Sequence, residues 1–251
     1  LKVEEDHLGG VLVSKIHDYD PGKSGEELVR EAVENPIGTP RLKDIAEGKK
    51  KIVVISSDHT RPVPSHIIMP VILEEIRKGN PDAEITILVS TGLHRATTKE
   101  ELIGKYGEKI CSREKIVVHD CDDGNNLVYI GKLPSGGKLI INRLVAEADL
   151  VVAEGFIEPH FFAGFSGGRK SILPGVASRE TVMYNHNSAF IASPYARTGI
   201  IEGNPIHNDM LYAARAARLD FIVNVVIDAE HEPIYAVAGD CDLAHRAGRE
   251  F

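Results

Sequence analysis

The chain of 251 residues is 43% hydrophobic and 26% charged, an ordinary globular composition long enough to bury a substantial core. Its formal charge of −8 argues against a nucleic-acid surface, which wants clustered Lys and Arg, and the one basic run, Lys49-Lys50-Lys51, reads as a solvated turn. Cys111, Cys121 and Cys241 form no close pair, no apolar run approaches the roughly 18 residues of a membrane span, and no signal peptide is visible, so a cytoplasmic protein without a disulfide framework or zinc knuckle is expected.

Residues 1 to 20 carry one candidate strand, Gly10 to Ser14. Ser24 with Glu27 three residues on predicts a capped helix to Glu34, and Pro36 and Pro40 break the chain after it. Lys51 to Ser56 is a β-branched run, the pattern of a strand covered on both faces. Asp58 to Pro64 then lie at its carboxyl end, and a helix follows from Ser65 to Lys78 with Pro70 as a kink or a late start. Glu84 to Ser90 is the next strand, with Thr91-Gly92-Leu93-His94 leaving its end, and Thr98 to Tyr106 reads as a short helix. Three short apolar runs, Ile116–Val118, Leu127–Ile130 and Leu139–Ile141, suggest small antiparallel strands.

Asp149 to Ala153 is a buried strand that empties into Gly155–Gly175, a glycine-rich stretch with one His and one Lys. Ser178 predicts a helix from Arg179 to about His186, and Asn204-Pro205 starts another with the apolar stripe Ile206, Met210, Ala213, Ala217. Phe221–Ile227 and Ile234–Ala238 are the last strands, before a helical stretch from Asp240. Strands alternating with helices predict an α/β fold: a mostly parallel, doubly wound sheet with a small antiparallel strand region. The ends at Leu1 and Phe251 have the look of cuts, which suggests part of a longer protein.

Loops at the carboxyl ends of parallel strands converge on a crevice, so their polar residues are the candidates for chemistry. Asp58 and Arg61 flank a Pro-stiffened turn; they are either a local ion pair or an anion contact and its acidic partner. His94 and His160 can act as general bases, or fill their loops as structural residues, with Phe161 and Phe162 packing around His160. Gly164 to Ser171 nearly spells the phosphate loop G-x-x-x-x-G-K-[ST], but Arg169 replaces its last glycine. Lys170 could instead serve as a nucleophile or attachment point. His186, between Asn185 and Asn187, reads on its own as a helix-terminal residue meeting the dipole. His7, His17, His66, His119, His207, His231 and His245 are read as surface or structural.

Together, Ser57–Pro64, Thr91–His94, Gly155–Gly175 and Tyr184–Asn187 resemble the N-terminal part of the lactate racemase family, in the family's order and separations. The resemblance implies that residues 1–251 are the N-terminal cofactor-binding and catalytic domain of a two-domain protein, with the C-terminal domain absent. It implies a nickel-pincer nucleotide attached to Lys170, with Thr91, Gly92, Gly167 and Gly168 in the cofactor site and His186 on nickel. It further implies an isomerase of 2-hydroxy acids, most of all lactate, acting by hydride transfer, with His94 and His160 as acid and base, Arg61 on the carboxylate and Asp58 as the acidic partner. The partners implied are a small 2-hydroxy acid, cofactor-synthesis enzymes and the missing domain. Two readings compete: a non-catalytic paralogue binding an anionic metabolite, and a nucleotide-phosphate enzyme built on the Gly164 loop.

Overall fold

A computed structural model describes residues 3–11, 16 and 19–251; the strand expected at Gly10 to Ser14 lies largely outside them, as does His17. In chain order the first half comprises α1 (Gly25–Glu34), α2 (Leu42–Ala46), β1 (Lys51–Ser57), α3 (Ser65–Gly79), β2 (Glu84–Ser90), α4 (Lys99–Tyr106), α5 (Glu108–Arg113) and β3 (Lys115–Val118). A hairpin of β4 (Leu127–Lys132) and β5 (Lys138–Asn142) follows, then α6 (Arg143–Ala146) and β6 (Leu150–Phe156). The short pair β7 (Pro159–His160) and β8 (Gly164–Phe165) precedes α7 (Arg179–Asn185), α8 (Ser188–Ile191) and α9 (Pro205–Ala216). The last elements are β9 (Leu219–Ile227), β10 (Pro233–Gly239) and α10 (Leu243–Glu250). Among the described residues no helix is long and apolar enough to cross a membrane.

The central sheet has the order β10-β9-β6-β1-β2-β3, parallel throughout except for β10 against β9. Alternate residues of β1 serve opposite faces: Ile52 and Val54 pack with α1 and α3, Val53 and Ile55 with α7 and α9. Two buried layers per strand explain why its sequence is apolar without alternation. The caps behave as their residue types dictate. Ser24 with Glu27 and Thr98 with Glu101 close complete capping boxes, and Asn204 accepts two amide N–H groups at the start of α9. Pro70 sits inside α3 on its solvent face and does not end the helix.

One strand expectation is corrected. The run at Ile116–Val118 is not part of an antiparallel region; β3 extends the main sheet in parallel to β2, in register from Thr86 with Lys115. Helices α4 and α5 supply the crossover that a parallel return needs. Of the three runs, only those in β4 and β5, joined across Pro134–Gly137, pair as an antiparallel hairpin.

The topology also marks a place for a site. From β1 the chain builds outward to β2 and β3, then returns to put β6 on the other side of β1. Loops leaving β1 and β6 therefore diverge and open a crevice at the carboxyl ends of the strands, where open α/β sheets bind ligands.

Candidate active site

A cavity of about 320 Å³ occupies this crevice, and Asp58, Arg61, His94, His160, Lys170 and His186 all line it. They come from four separate segments: the loops after β1, β2 and β6, and the end of α7. A backbone bond from Gly92 N–H to the Gly175 carbonyl, 3.0 Å, ties the second of these loops to the third.

On one wall Asp58, 1% exposed, receives the Thr60 amide at 3.1 Å and hydroxyl at 2.7 Å on Oδ1, and His94 Nδ1 at 2.6 Å on Oδ2. Burial works to raise the Asp58 pKa, but bonds from Thr60 and His94 outweigh it and the carboxyl ends below its ordinary value. Held as a carboxylate, Asp58 keeps the His94 proton on Nδ1 and leaves Nε2 with a free lone pair. Of the two readings of this turn, the local ion pair of Asp58 with Arg61 is not formed. Arg61 is exposed and, among the described residues, donates only to the Thr60 hydroxyl, at 3.2 Å, leaving most of its fork available to an anion.

His160 is held in the opposite sense. Its Nδ1 accepts the amides of Phe162 and Ala163 at 3.4 and 3.2 Å, so the neutral ring carries its proton on Nε2. Phe161 stacks on the ring and Phe162 meets it edge-on, each with centroids 4.6 Å away; Phe162 also contacts His186 edge-on at 5.0 Å. Burial, then the charge of Lys170, pushes the His160 pKa down to about 3.

The glycine-rich loop is pinned from beneath. Gly167 and Gly168 have φ of +78° and +53°, and a Cβ on Gly167 would lie 2.8 Å from both Asn224 Oδ1 and the Phe156 carbonyl. The Gly168 amide donates to Asn224 Oδ1 at 2.8 Å, and Gly168 packs against His245 rather than on the cavity wall. Thr91, Gly92 and Gly167 do line the cavity, although the Thr91 hydroxyl is committed to the His119 carbonyl at 2.7 Å. Arg169 turns inward, fully buried: it donates to the carbonyls of Ala163, Ser166 and Gly167 and to His207 Nδ1. The phosphate-loop reading fails on this arrangement, because the Gly168 and Lys170 amides that should cradle a phosphate bond within the chain.

Lys170 reaches the cavity with no hydrogen bond or ion pair to its amine among the described residues. Burial, then the charges of Arg169 and Arg61, pushes its pKa down to about 7, so a nucleophilic fraction exists at neutral pH. His186 ends α7, donates its amide to the Val182 carbonyl, and leaves Nδ1 buried without a partner among the described residues. Its pKa is pushed down to about 4, by burial and then by Lys170. A neutral imidazole with an orphaned nitrogen is the form that binds a metal. Among the described residues His186 belongs to no group of three protein ligands. The one such group, Asp120, Cys121 and Asp122, has a carboxylate gripped by Arg179 at 2.8 and 2.7 Å. A metal on His186 would therefore draw its remaining donors from a bound group, which fits a pincer ligand.

Three buried residues of this neighbourhood are not among the candidates named from sequence, which left Glu154 unmentioned and read His207 and His245 as surface or structural. Glu154 is a buried acid that lines the cavity from β6, and His207 and His245 brace Arg169 under the loop, His245 Nε2 standing 3.0 Å from Nη1. Glu154 alone left a signal, as a carboxylate ending an apolar strand; the two imidazoles are brought in by α9 and α10 from distant segments.

Comparison with known proteins follows the same lines. A model of the lactate racemase N-terminal domain matches residues 1–199. A lactate racemase of Thermoanaerobacterium thermosaccharolyticum is 58% identical over 98% of this chain and 58% of its own length. One of Lactiplantibacillus plantarum is 54% identical over 100% of this chain and 59% of its own length. The solved structure of the lactate racemase apoprotein from T. thermosaccharolyticum superposes with a TM-score of 0.94 at 56% identity, over 100% of this chain and 58% of that one. The chain thus spans less than two thirds of the relatives it matches.

Proposed function

Because this chain belongs to the family of the lactate racemase N-terminal domain, we propose that it is the cofactor-binding and catalytic domain of a racemase interconverting D- and L-2-hydroxy acids, lactate first among them. Deprotonating C2 of such an acid is costly, because the adjacent carboxylate disfavours a carbanion; loss of the C2 hydrogen as hydride leaves a planar keto acid instead. The nickel-pincer nucleotide supplies, when bound, the acceptor that takes this hydride and gives it back. Lys170 would hold it covalently and His186 would ligate its nickel, with Thr91, Gly92 and Gly167 in the surrounding wall.

The chain's own groups handle the proton and the carboxylate. His94 Nε2 takes the hydroxyl proton while Asp58 stabilises the imidazolium through Nδ1. When the keto acid is reduced from its other face, His160 as the imidazolium would give its Nε2 proton to the oxygen and return to the neutral ring; in the opposite direction neutral His160 would take the hydroxyl proton and the His94 imidazolium would give one back. Arg61 offers its unpaired N–H groups to the substrate carboxylate. Cofactor-synthesis enzymes and the further length present in the relatives are the partners this reading requires, since closure over a site commonly completes it.

The convergence of all six residues on one cavity carries the proposal. It is tested with lactate deuterated at C2 and the holoprotein in ordinary water. Racemised product that keeps its deuterium is the expected result. Wash-out of the label to solvent would show proton abstraction at C2 and overturn the hydride reading.

A further inference from the structure

Glu154 ends the apolar run Leu150-Val151-Val152-Ala153 of β6 and is 2% exposed. A carboxyl group taken out of water is costly unless its oxygens are bonded. One is satisfied: Oε1 accepts the hydroxyls of Ser56 and Ser65, and Ser56 Oγ in turn accepts from the Tyr106 hydroxyl at 2.7 Å. The other, Oε2, is buried without a partner among the described residues. Such an orphan in a native fold calls for an explanation, and an unseen ligand is one.

Its surroundings say what the ligand would be. Glu154 lines the same cavity as Ser57 and Ser90, whose hydroxyls sit at the ends of β1 and β2. Behind Ser57 stands Lys105, largely buried, donating its ammonium to Ser57 Oγ at 3.2 Å. Burial raises the Glu154 pKa, against the opposing charge of Lys105. A hydroxyl can donate to that open carboxyl oxygen, whereas a phosphate would bring a like charge and an apolar group would leave Oε2 orphaned. An acid at a strand end that accepts sugar hydroxyls is an established solution in sheets of this kind.

We propose that Glu154, with Ser57 and Ser90, forms a subsite for the vicinal hydroxyls of a ribose, placing the sugar of a mononucleotide at the floor of the cavity while Lys170 takes the other end. This assignment rests on the reading of the site as a mononucleotide site, and its test uses no catalytic activity. Isothermal calorimetry on the cofactor-free chain would compare nicotinic acid mononucleotide with its 2′,3′-dideoxyribose analogue. Wild type should bind the ribose form about tenfold tighter or more. Glu154→Gln, isosteric but unable to accept through a second carboxylate oxygen, should shrink the preference to about threefold or less, with an unchanged melting temperature. If Glu154→Gln does not fold, Ser57→Ala, which removes a partly exposed hydroxyl, should reduce the same preference. Equal binding of the two probes by wild type, no binding of either at millimolar concentration, or a preference undiminished in the folded variants overturns the subsite. A covalent adduct on Lys170 in a chain showing no ribose preference would sink this inference alone and leave the racemase reading standing.

Discussion

The two walls of the cavity treat their bases in opposite ways. His94 has a side chain 43% exposed and its Nδ1 proton is held by a buried carboxylate, which leaves the Nε2 lone pair free. His160, His186 and Lys170 line a drier part of the same cavity, with Phe162 and Val182. There burial comes first among the causes that push the three down to about 3, 4 and 7. In the proposed mechanism the first of these walls moves the proton. The other keeps nitrogen lone pairs uncharged, as a metal ligand or a nucleophilic amine requires.

Substitutions can break that contrast, and the largest effect is expected on the wet wall. His94→Ala in the holoprotein should lower turnover by about 10³-fold or more, read by chiral analysis of the product. Asp58→Asn should cost about 10²-fold, because an amide at that position can present N–H to Nδ1 and favour the wrong tautomer. A turnover left intact by either change would mean that the proton acceptor lies elsewhere.

On the dry wall the contrast appears as acid sensitivity. His160 and His186 have folded pKa values below the unfolded value of 6.5, so between about pH 4 and 6.5 the unfolded chain binds more protons than the folded one. Stability therefore rises with pH through that window and is lost as pH falls. Asp58, lowered in the fold, adds to the same acid loss at still lower pH. Replacing His186 with Phe should blunt the fall in stability between pH 7 and 5 by about 1 kcal/mol, measured by urea denaturation of the cofactor-free chain. An unchanged slope would place that imidazole in water rather than against the dry wall.

A smaller test concerns the scaffold of that wall. Asn204 caps α9 and also donates to the carbonyls of Phe162 and Ile200 at 2.9 and 3.0 Å, so it links the helix start to the loop carrying His160. Asn204→Ala should reduce unfolding free energy by about 1–2 kcal/mol; a loss under about 0.3 kcal/mol would show that the cap and the loop contacts are replaceable.

Much of the fold was legible because local chemistry wrote it. Ser24 with Glu27, Thr98 and Asn204 with Pro205 start helices where their residue types predict, and the β-branched runs at Lys51, Glu84 and Leu150 are the buried strands. Pairing was not legible for Ile116–Val118, since three apolar residues look alike in a hairpin and at the edge of a parallel sheet; only the α4–α5 crossover decides. The same division holds in the site. That the motif loops share a crevice could be argued from their places after strands. That Asp58 pairs with His94 rather than Arg61, that Gly168 faces His245, and that Arg169 is buried against His207 depend on segments up to 77 residues apart (His245 from Gly168) being folded together.

The most direct test of the contrast is the intact mass of the chain produced alongside the cofactor-synthesis enzymes, with and without Lys170→Ala. The account predicts a covalent increase on the wild-type chain, located to Lys170 by peptide mapping and lost in the variant. An increase that persists in Lys170→Ala, or that maps to an exposed lysine such as Lys109, would contradict it.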